Sequence, residues 1–501
     1  MTEPRVIPDH RWTPSTALPR LSILVMLIVI LGFSPASGAE PRKVTPGPGS
    51  RVVFDLGPQP DASVLEDAAS LAGLAAELFP SEATIGFDDG RATFLPGGSL
   101  KIANQSAPPV ARGFSIRHLG RGRLMSGEAN GEGQGDGTGS GDSREFDEPA
   151  GSSSMVAFNP KTGNEFIITT TTAQLAAIAA EAERTGLNRE TDVPPSRSGA
   201  TFGAPTADAV TIGSADFYTG FAPLGFSGGN DDRFRPYAVN AAVTNNVDRR
   251  RVQVGTGCSG TLVGPRHVVT AGHCLYNRLT QAWGNNFTVR SGRNGNSVGA
   301  SVLVNTASIP PGQVIWYFTP AEWRNLSVTN TDPFDFAIIV LPGRLGDAAG
   351  GWFGWWALGD ATLQATTINR AGYPACAATF GTPPVPRIDV LQTDAPLACY
   401  PNHYYRNANP CQVGNFRNAK DGWSRTLDHS CDASAADSGS GLTTNFNGLG
   451  NGVVGIHFFS LCGKTATDVA CTGNLNTLPL RAIRITPEYS GWISHFRKTY
   501  P

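Results

Sequence analysis

The chain has 501 residues, 40% of them hydrophobic and 16% charged, with a formal net charge of -2. That length accommodates two or three domains. The composition excludes a disordered chain, and the near-neutral balance gives no electrostatic reason to expect nucleic acid or an anionic membrane surface as a partner.

The N-terminus has the pattern of an export signal. Arg5, Arg11 and Arg20 precede the apolar run Leu21 to Phe33, and Ser37 and Ala39 occupy the small-residue positions before a cut at Glu40. The run is shorter than the roughly 20 residues that span a bilayer, so a cleaved signal over residues 1–39 is expected, with no stable membrane association afterwards. The destination is secreted, extracellular or periplasmic.

Residues 40–225 read as a separate, less rigid unit. Ala62 to Phe79 and Ala173 to Thr185 have helical apolar spacing. Between them, near 126–154, lies a linker rich in Gly, Ser and acids; its 128–148 stretch holds seven acids and one base, Arg144. Such a stretch buries too little apolar surface to offset its conformational entropy and is expected to stay solvated.

From residue 226 the pattern changes. Val252–Val254, Thr261–Val263, His267–Thr270, Phe287–Val289, Phe336–Leu341 and Val453–Ile456 are short, β-branched and bounded by turn residues. They predict an all-β barrel or sandwich. Pro487 to Lys498 predicts a closing helix. All eight cysteines lie beyond residue 257, without a CxxC pair or zinc-ligand spacing. In an exported chain this pattern points to disulfides rather than metal.

Three segments carry chemistry. The first runs from Cys258-Ser-Gly-Thr to Thr270-Ala-Gly-His-Cys274 and sets His273 at a strand end. The second is Asp335-Phe-Ala-Ile-Ile-Val-Leu341, an acid entering an apolar strand, which is costly to bury without a partner such as an imidazole N–H. Asp332 competes with it, but Pro333 separates Asp332 from the strand. The third is Asp437-Ser438-Gly439-Ser440. The order His, Asp, Ser is that of the chymotrypsin-type hydrolases.

These segments resemble the trypsin/chymotrypsin family. Gly229-Asn-Asp-Asp-Arg233 and Val453-Val-Gly-Ile-His457 resemble its bacterial glutamyl-endopeptidase branch. The resemblance covers roughly 226–499. It implies two antiparallel β-barrels with a C-terminal helix over 226–501, preceded by a partly disordered pro-region over 40–225, and a secreted, monomeric serine endopeptidase made as a zymogen. It implies a triad of His273, Asp335 and Ser438, an oxyanion hole from the Ala436 and Ser438 amides, protein or peptide substrates, and no cofactor or metal. A Cys258–Cys274 disulfide fits the same motif, and Cys462–Cys471 is the expected local pair elsewhere.

Specificity reads two ways. Asp432 stands where trypsin-like enzymes keep the carboxylate for Arg or Lys at P1, whereas His457 with Ser460 resembles a glutamate-binding set; two segments favour acidic P1. Asp437 resembles the acid that receives a new N-terminus after activation. The family has glycine where Ala436 stands and proline where Gly441 stands. These departures support the alternative, an inactive secreted homologue that binds a partner through the cleft. Gly225-Phe-Ser-Gly-Gly229 fits a nucleophile elbow but lacks the preceding strand and following apolar helix that such an elbow needs.

Overall fold

The computed structural model describes residues 53–56, 61–72, 86–88, 91–93, 113–125, 150–193, 233–304, 309, 313–374, 402–433, 436–446, 448–460 and 480–501. The proposed signal, most of the linker, the Gly225–Gly229 segment and Cys462 and Cys471 lie outside them.

The described chain is mostly strand, as expected, and ends in the helix Pro487–Thr499. Thr486 caps that helix by accepting a hydrogen bond from the Tyr489 amide, Pro487 occupies its first turn, and Arg497 and Lys498 sit in the last turn, where cations suit the macrodipole. The strands predicted from short apolar runs form close to their expected places. His267–Thr270 matches, Arg251–Val254 and Phe287–Ser291 run slightly beyond the apolar runs that predict them, and Ala337–Val340 lies within its run.

Hydrogen bonding arranges the strands as two large, mainly antiparallel sheets. The second sheet joins Val413–Lys420, Trp423–His429, Leu480–Arg484, Asn451–Ser460, Gly441–Asn445, Asn369–Gly372, Tyr405–Asn407 and Arg233–Phe234 in that order. The first begins with Ala300–Val304, Phe287–Ser291, Arg251–Val254, Cys258–Leu262, His267–Thr270, Ala337–Val340 and Trp316–Pro320. It does not stop there. Ser152–Phe158 pairs antiparallel with Trp316–Pro320, and the order continues through Asn164–Thr171 and Ser115–Arg121 into strands before residue 100.

Residues 43–501 cluster as one compact unit, and the first sheet joins strands from both sides of residue 226. The predicted linker also ends too late, because Ser152, Ser153 and Ser154 are buried within a strand. Serines read as solvated in sequence. Here the strand has partners on both sides, and the hydroxyls find bonds of their own: Ser154 with the Thr169 hydroxyl at 2.9 Å, and Ser153 to Glu488 Oε1 at 2.5 Å. The helix Thr172–Thr185 forms as predicted, capped by Thr171 and ended by Gly186 at φ 72°, a left-handed stop that glycine accommodates without strain. The helix expected over Ala62 to Phe79 is described over Ala62–Leu71.

Two disulfides lie among the described residues. Cys258–Cys274 is formed as expected. Cys411–Cys431, not anticipated, joins the chain just before the strand Val413–Lys420 to the chain just after its neighbour Trp423–His429. Each closes a loop of fewer than about 25 residues and is worth roughly 3 kcal/mol on the chain-entropy account. No helix among the described residues is long and apolar enough to cross a membrane.

Candidate active site

His273 lies in the short turn Gly272–Cys274 that follows the strand His267–Thr270. Asp335 ends the turn Asp332–Phe334 and precedes the strand Ala337–Val340. These strands are paired, with Thr270 opposite Ala337, so the two side chains are delivered to the same end of the sheet. His273 Nδ1 is 2.7 Å from Asp335 Oδ2, and the His273 amide donates to Asp335 Oδ1 at 2.8 Å. One carboxylate thus fixes both the ring and the backbone of the histidine. The approach is close enough that a Cβ on Gly272 would meet Asp335 Oδ1 at 3.1 Å. Asp332, the competing acid, is instead paired with Arg481.

Ser438 lies on a turn held against the His273 motif by backbone bonds. The Ser259 amide donates to the Ser438 carbonyl at 2.7 Å, and the Cys274 sulfur lies 3.7 Å from the same oxygen. Gly439, at φ 87°, has no room for a side chain: a Cβ would stand 2.1 Å from both the Ser259 carbonyl and the Thr270 hydroxyl. The glycine after the serine is therefore required by the joint between the two sheets.

Ala436 adopts φ 66°, the left-handed conformation that a side chain disfavours. The Ser259 hydroxyl donates to its carbonyl at 3.0 Å and accepts from the Tyr373 amide at 2.9 Å. The chain thus accommodates an alanine in a left-handed turn and anchors that turn from the facing sheet. Ser434 and Ala435 lie outside the described residues.

Asp437 is fully buried between two guanidinium groups, Arg233 at 2.7 Å and Arg370. Arg370 also donates to the Ser440 hydroxyl at 2.9 Å and to the Asp432 carbonyl. It therefore grips three points of the nucleophile loop. Burial pushes its guanidinium down, and Asp437 opposes that shift. In the uncut chain both Asp437 oxygens face arginines. Ser259, Arg233 and Arg370 were not singled out in sequence. Ser259 lay inside the histidine motif; Arg370 carries no local signal.

The proposed specificity residues divide. Asp432 is buried, and its carboxylate interacts electrostatically with Arg370. His457 is buried in the strand Asn451–Ser460, next to the nucleophile turn: its carbonyl accepts from the Gly439 amide at 2.7 Å and its amide donates to the Ser440 carbonyl at 2.9 Å. A second histidine that sequence reading missed, His429, lies behind it, with Nε2 3.1 Å from His457 Nδ1. The Cys431 amide donates to His429 Nδ1 at 3.2 Å. Burial pushes His429 down to about 3 and holds His457 well below its ordinary value, helped by the His429 and Arg370 charges. Both rings are therefore neutral near pH 7. His429 Nδ1 accepts, so its Nε2 carries the proton and donates to His457 Nδ1. That leaves His457 Nε2–H as a donor. The Ser460 side chain lies outside the described residues.

Among the described residues, the one His/Cys/acid cluster tight enough to share a metal is Cys258, His273 and Cys274. Its two sulfurs are bonded to each other.

The trypsin family matches residues 229–344, which include His273 and Asp335 but stop before Ser438. A glutamyl endopeptidase of Bacillus licheniformis is 32% identical over 146 residues, 29% of this chain and 41% of that protein. A protein of Bacillus subtilis named extracellular metalloprotease is 29% identical over 159 residues, 31% of this chain and 46% of that protein. The chain thus spans less than half the length of these curated relatives. A solved structure of a Glu endopeptidase in complex with MPD shares 18% identity, covering 54% of this chain and 99% of that one, with a TM-score of 0.35. Residues 229–344 thus match the trypsin family, and a glutamyl endopeptidase is among the chain's relatives.

Proposed function

We propose that the protein is a secreted serine endopeptidase that hydrolyses peptide bonds through Ser438, His273 and Asp335. The observation that carries this reading is the pair of hydrogen bonds that the ring and amide of His273 donate to one Asp335 carboxylate. It supports a histidine held in the tautomer whose Nε2 accepts a proton. Ser438 alone is a poor nucleophile at neutral pH. His273 takes its proton as Oγ attacks the peptide carbonyl, and later donates that proton to the leaving amine. Asp335 stabilises the imidazolium formed between these steps. The Ala436 and Ser438 amides receive the oxyanion; losing one such donor costs about 100- to 1000-fold in kcat. Water then releases the acyl group from Ser438. None of these steps needs a cofactor.

An acidic P1 residue is favoured over a basic one. His457 Nε2–H is a donor suited to a carboxylate, and His429 behind it is oriented to support that proton's position. Asp432, the candidate partner for a basic P1, has Arg370 beside it and so offers less net negative charge to a substrate. We also retain the pro-region reading for residues 40–225, with processing before Arg233, and export as the reason for a disulfide-bonded protein with an N-terminal signal pattern.

The strain at Ala436 favours one alternative, an inactive homologue that binds a partner through the same cleft. A serine-directed phosphonate separates the two. Covalent labelling of processed wild type but not of Ser438→Ala, with cleavage after Glu in a peptide library, supports the endopeptidase. A folded, processed wild type that takes no label and cuts nothing supports the binding protein.

A further inference from the structure

We infer that residues 113–193 are a permanent part of the catalytic unit and stay bound to residues 233–501 as a second chain once the segment between them is cut. The inference deepens the reading above, because it says what processing of this protein would leave behind.

The edge of the strand Trp316–Pro320 is occupied by Ser152–Phe158, over the register Tyr317 opposite Phe158 to Pro320 opposite Met155. This is strand addition from within the chain, and removing it would expose a row of unpaired backbone groups. The side chains interlock as well. Phe158 stacks on Trp283 at 5.0 Å, and Phe166 meets Trp316 edge-on at 6.1 Å. Phe114 stacks on His495 at 4.3 Å, in the C-terminal helix. These rings are buried, and Leu175 of the helix Thr172–Thr185 belongs to the same core.

The polar contacts make release harder still. Glu165 accepts from the Trp283 indole and pairs with Arg324 at 2.6 Å. Glu190 pairs with the fully buried Arg250 and accepts from the Asn451 amide at 2.6 Å. Arg497 donates to the Leu187 carbonyl at 2.7 Å, and the Trp492 indole donates to Ser153 at 2.9 Å. Taking the segment away would leave Arg250 and Arg324 as buried cations without these carboxylates, which is among the more destabilising changes a fold can suffer.

The test uses the full chain in the Ser438→Ala form, with a recognition sequence for a site-specific protease inserted after Ala204. After complete cutting, native size exclusion and a denaturing gel report whether the pieces travel together, and urea unfolding followed by tryptophan fluorescence reports whether they unfold together. The expected result is one native peak at the uncut size, two bands in one-to-one ratio, and one shared transition. A clean separation into two folded species overturns the inference. So does secreted, wild-type protein that is recovered as residues 233–501 alone with the unfolding midpoint of the cut complex. Because the readout is mass and stability in an inactive variant, it stands whether or not the protein proves to be a protease.

Discussion

Arg233 and Asp437 form a 2.7 Å ion pair from which water is excluded on both sides, and Arg370 completes the pairing on the other carboxylate oxygen. The residue before Ser438 is therefore anchored by the chain's own cations. Removing Asp437 leaves two buried guanidinium groups without their anion; removing Arg233 leaves a one-to-one pair. Asp437→Asn is expected to cost about 3–5 kcal/mol in urea unfolding, and Arg233→Met distinctly less. Equal losses from both variants would mean that Arg370 does not share the carboxylate.

Ser259 is expected to hold the oxyanion turn. Ser259→Ala removes the donor to the Ala436 carbonyl and leaves the Tyr373 amide without its acceptor. The buried groups left behind cost about 1–3 kcal/mol. The diagnostic readout is kcat, which should fall while KM for a good peptide changes little, because the oxyanion forms only in the transition state. A wild-type kcat for this variant would remove Ser259 from the positioning role.

At Ala436 the opposite change should help. Ala436→Gly removes a Cβ from a left-handed residue and is expected to raise stability by about 1 kcal/mol, with activity equal to or above wild type. A thermal scan together with active-site titration checks both. A destabilised variant would show that unfolded-state entropy outweighs the relieved strain.

The histidine pair predicts specificity. His429→Phe removes the group that orients His457 and should raise KM for Glu at P1 while leaving cleavage of a neutral P1 peptide nearly unchanged. The measurement is the ratio of kcat/KM for the two substrates. An unchanged ratio would assign acidic P1 recognition elsewhere.

Three buried histidines set a pH limit on stability. His267, His429 and His457 all have folded-state values below the ordinary range, chiefly through burial. The unfolded chain therefore takes up protons first as pH falls. Their contribution is complete above the unfolded value near 6.5 and is lost progressively below it, towards about 3 for His429. Each is expected to lose about 1.4 kcal/mol per pH unit in that window. Urea midpoints at pH 7.5, 6 and 5 in constant salt check the slope, and His267→Gln, away from the nucleophile turn, should reduce it by one histidine's share.

The three proposed catalytic residues stand out in the sequence because each sits in a short, locally patterned segment. His273 follows a β-branched strand, Asp335 precedes one, and Ser438 lies between small residues that a tight turn demands. Local order fixed these positions, and the alternation of strand and turn residues fixed the fold class. The residues that hold the triad's surroundings were not legible. Arg370 is 62 positions from Asp432 and 70 from Ser440, and nothing in Asn369-Arg-Ala-Gly announces a partner.

By itself, the sequence determined where most of the described strands and helices form, which residues are candidates for nucleophile chemistry, and that Ala436 stands in a demanding turn. Tertiary structure alone decided that Asp332 pairs with Arg481, that Asp437 pairs with two arginines, and that Ser152–Phe158 is a buried strand rather than the end of a linker. The reason is physical. Propensity and periodicity act within a few residues, whereas the partner of a buried charge, or of a serine-rich strand, is set by whichever distant segment the packed core brings beside it.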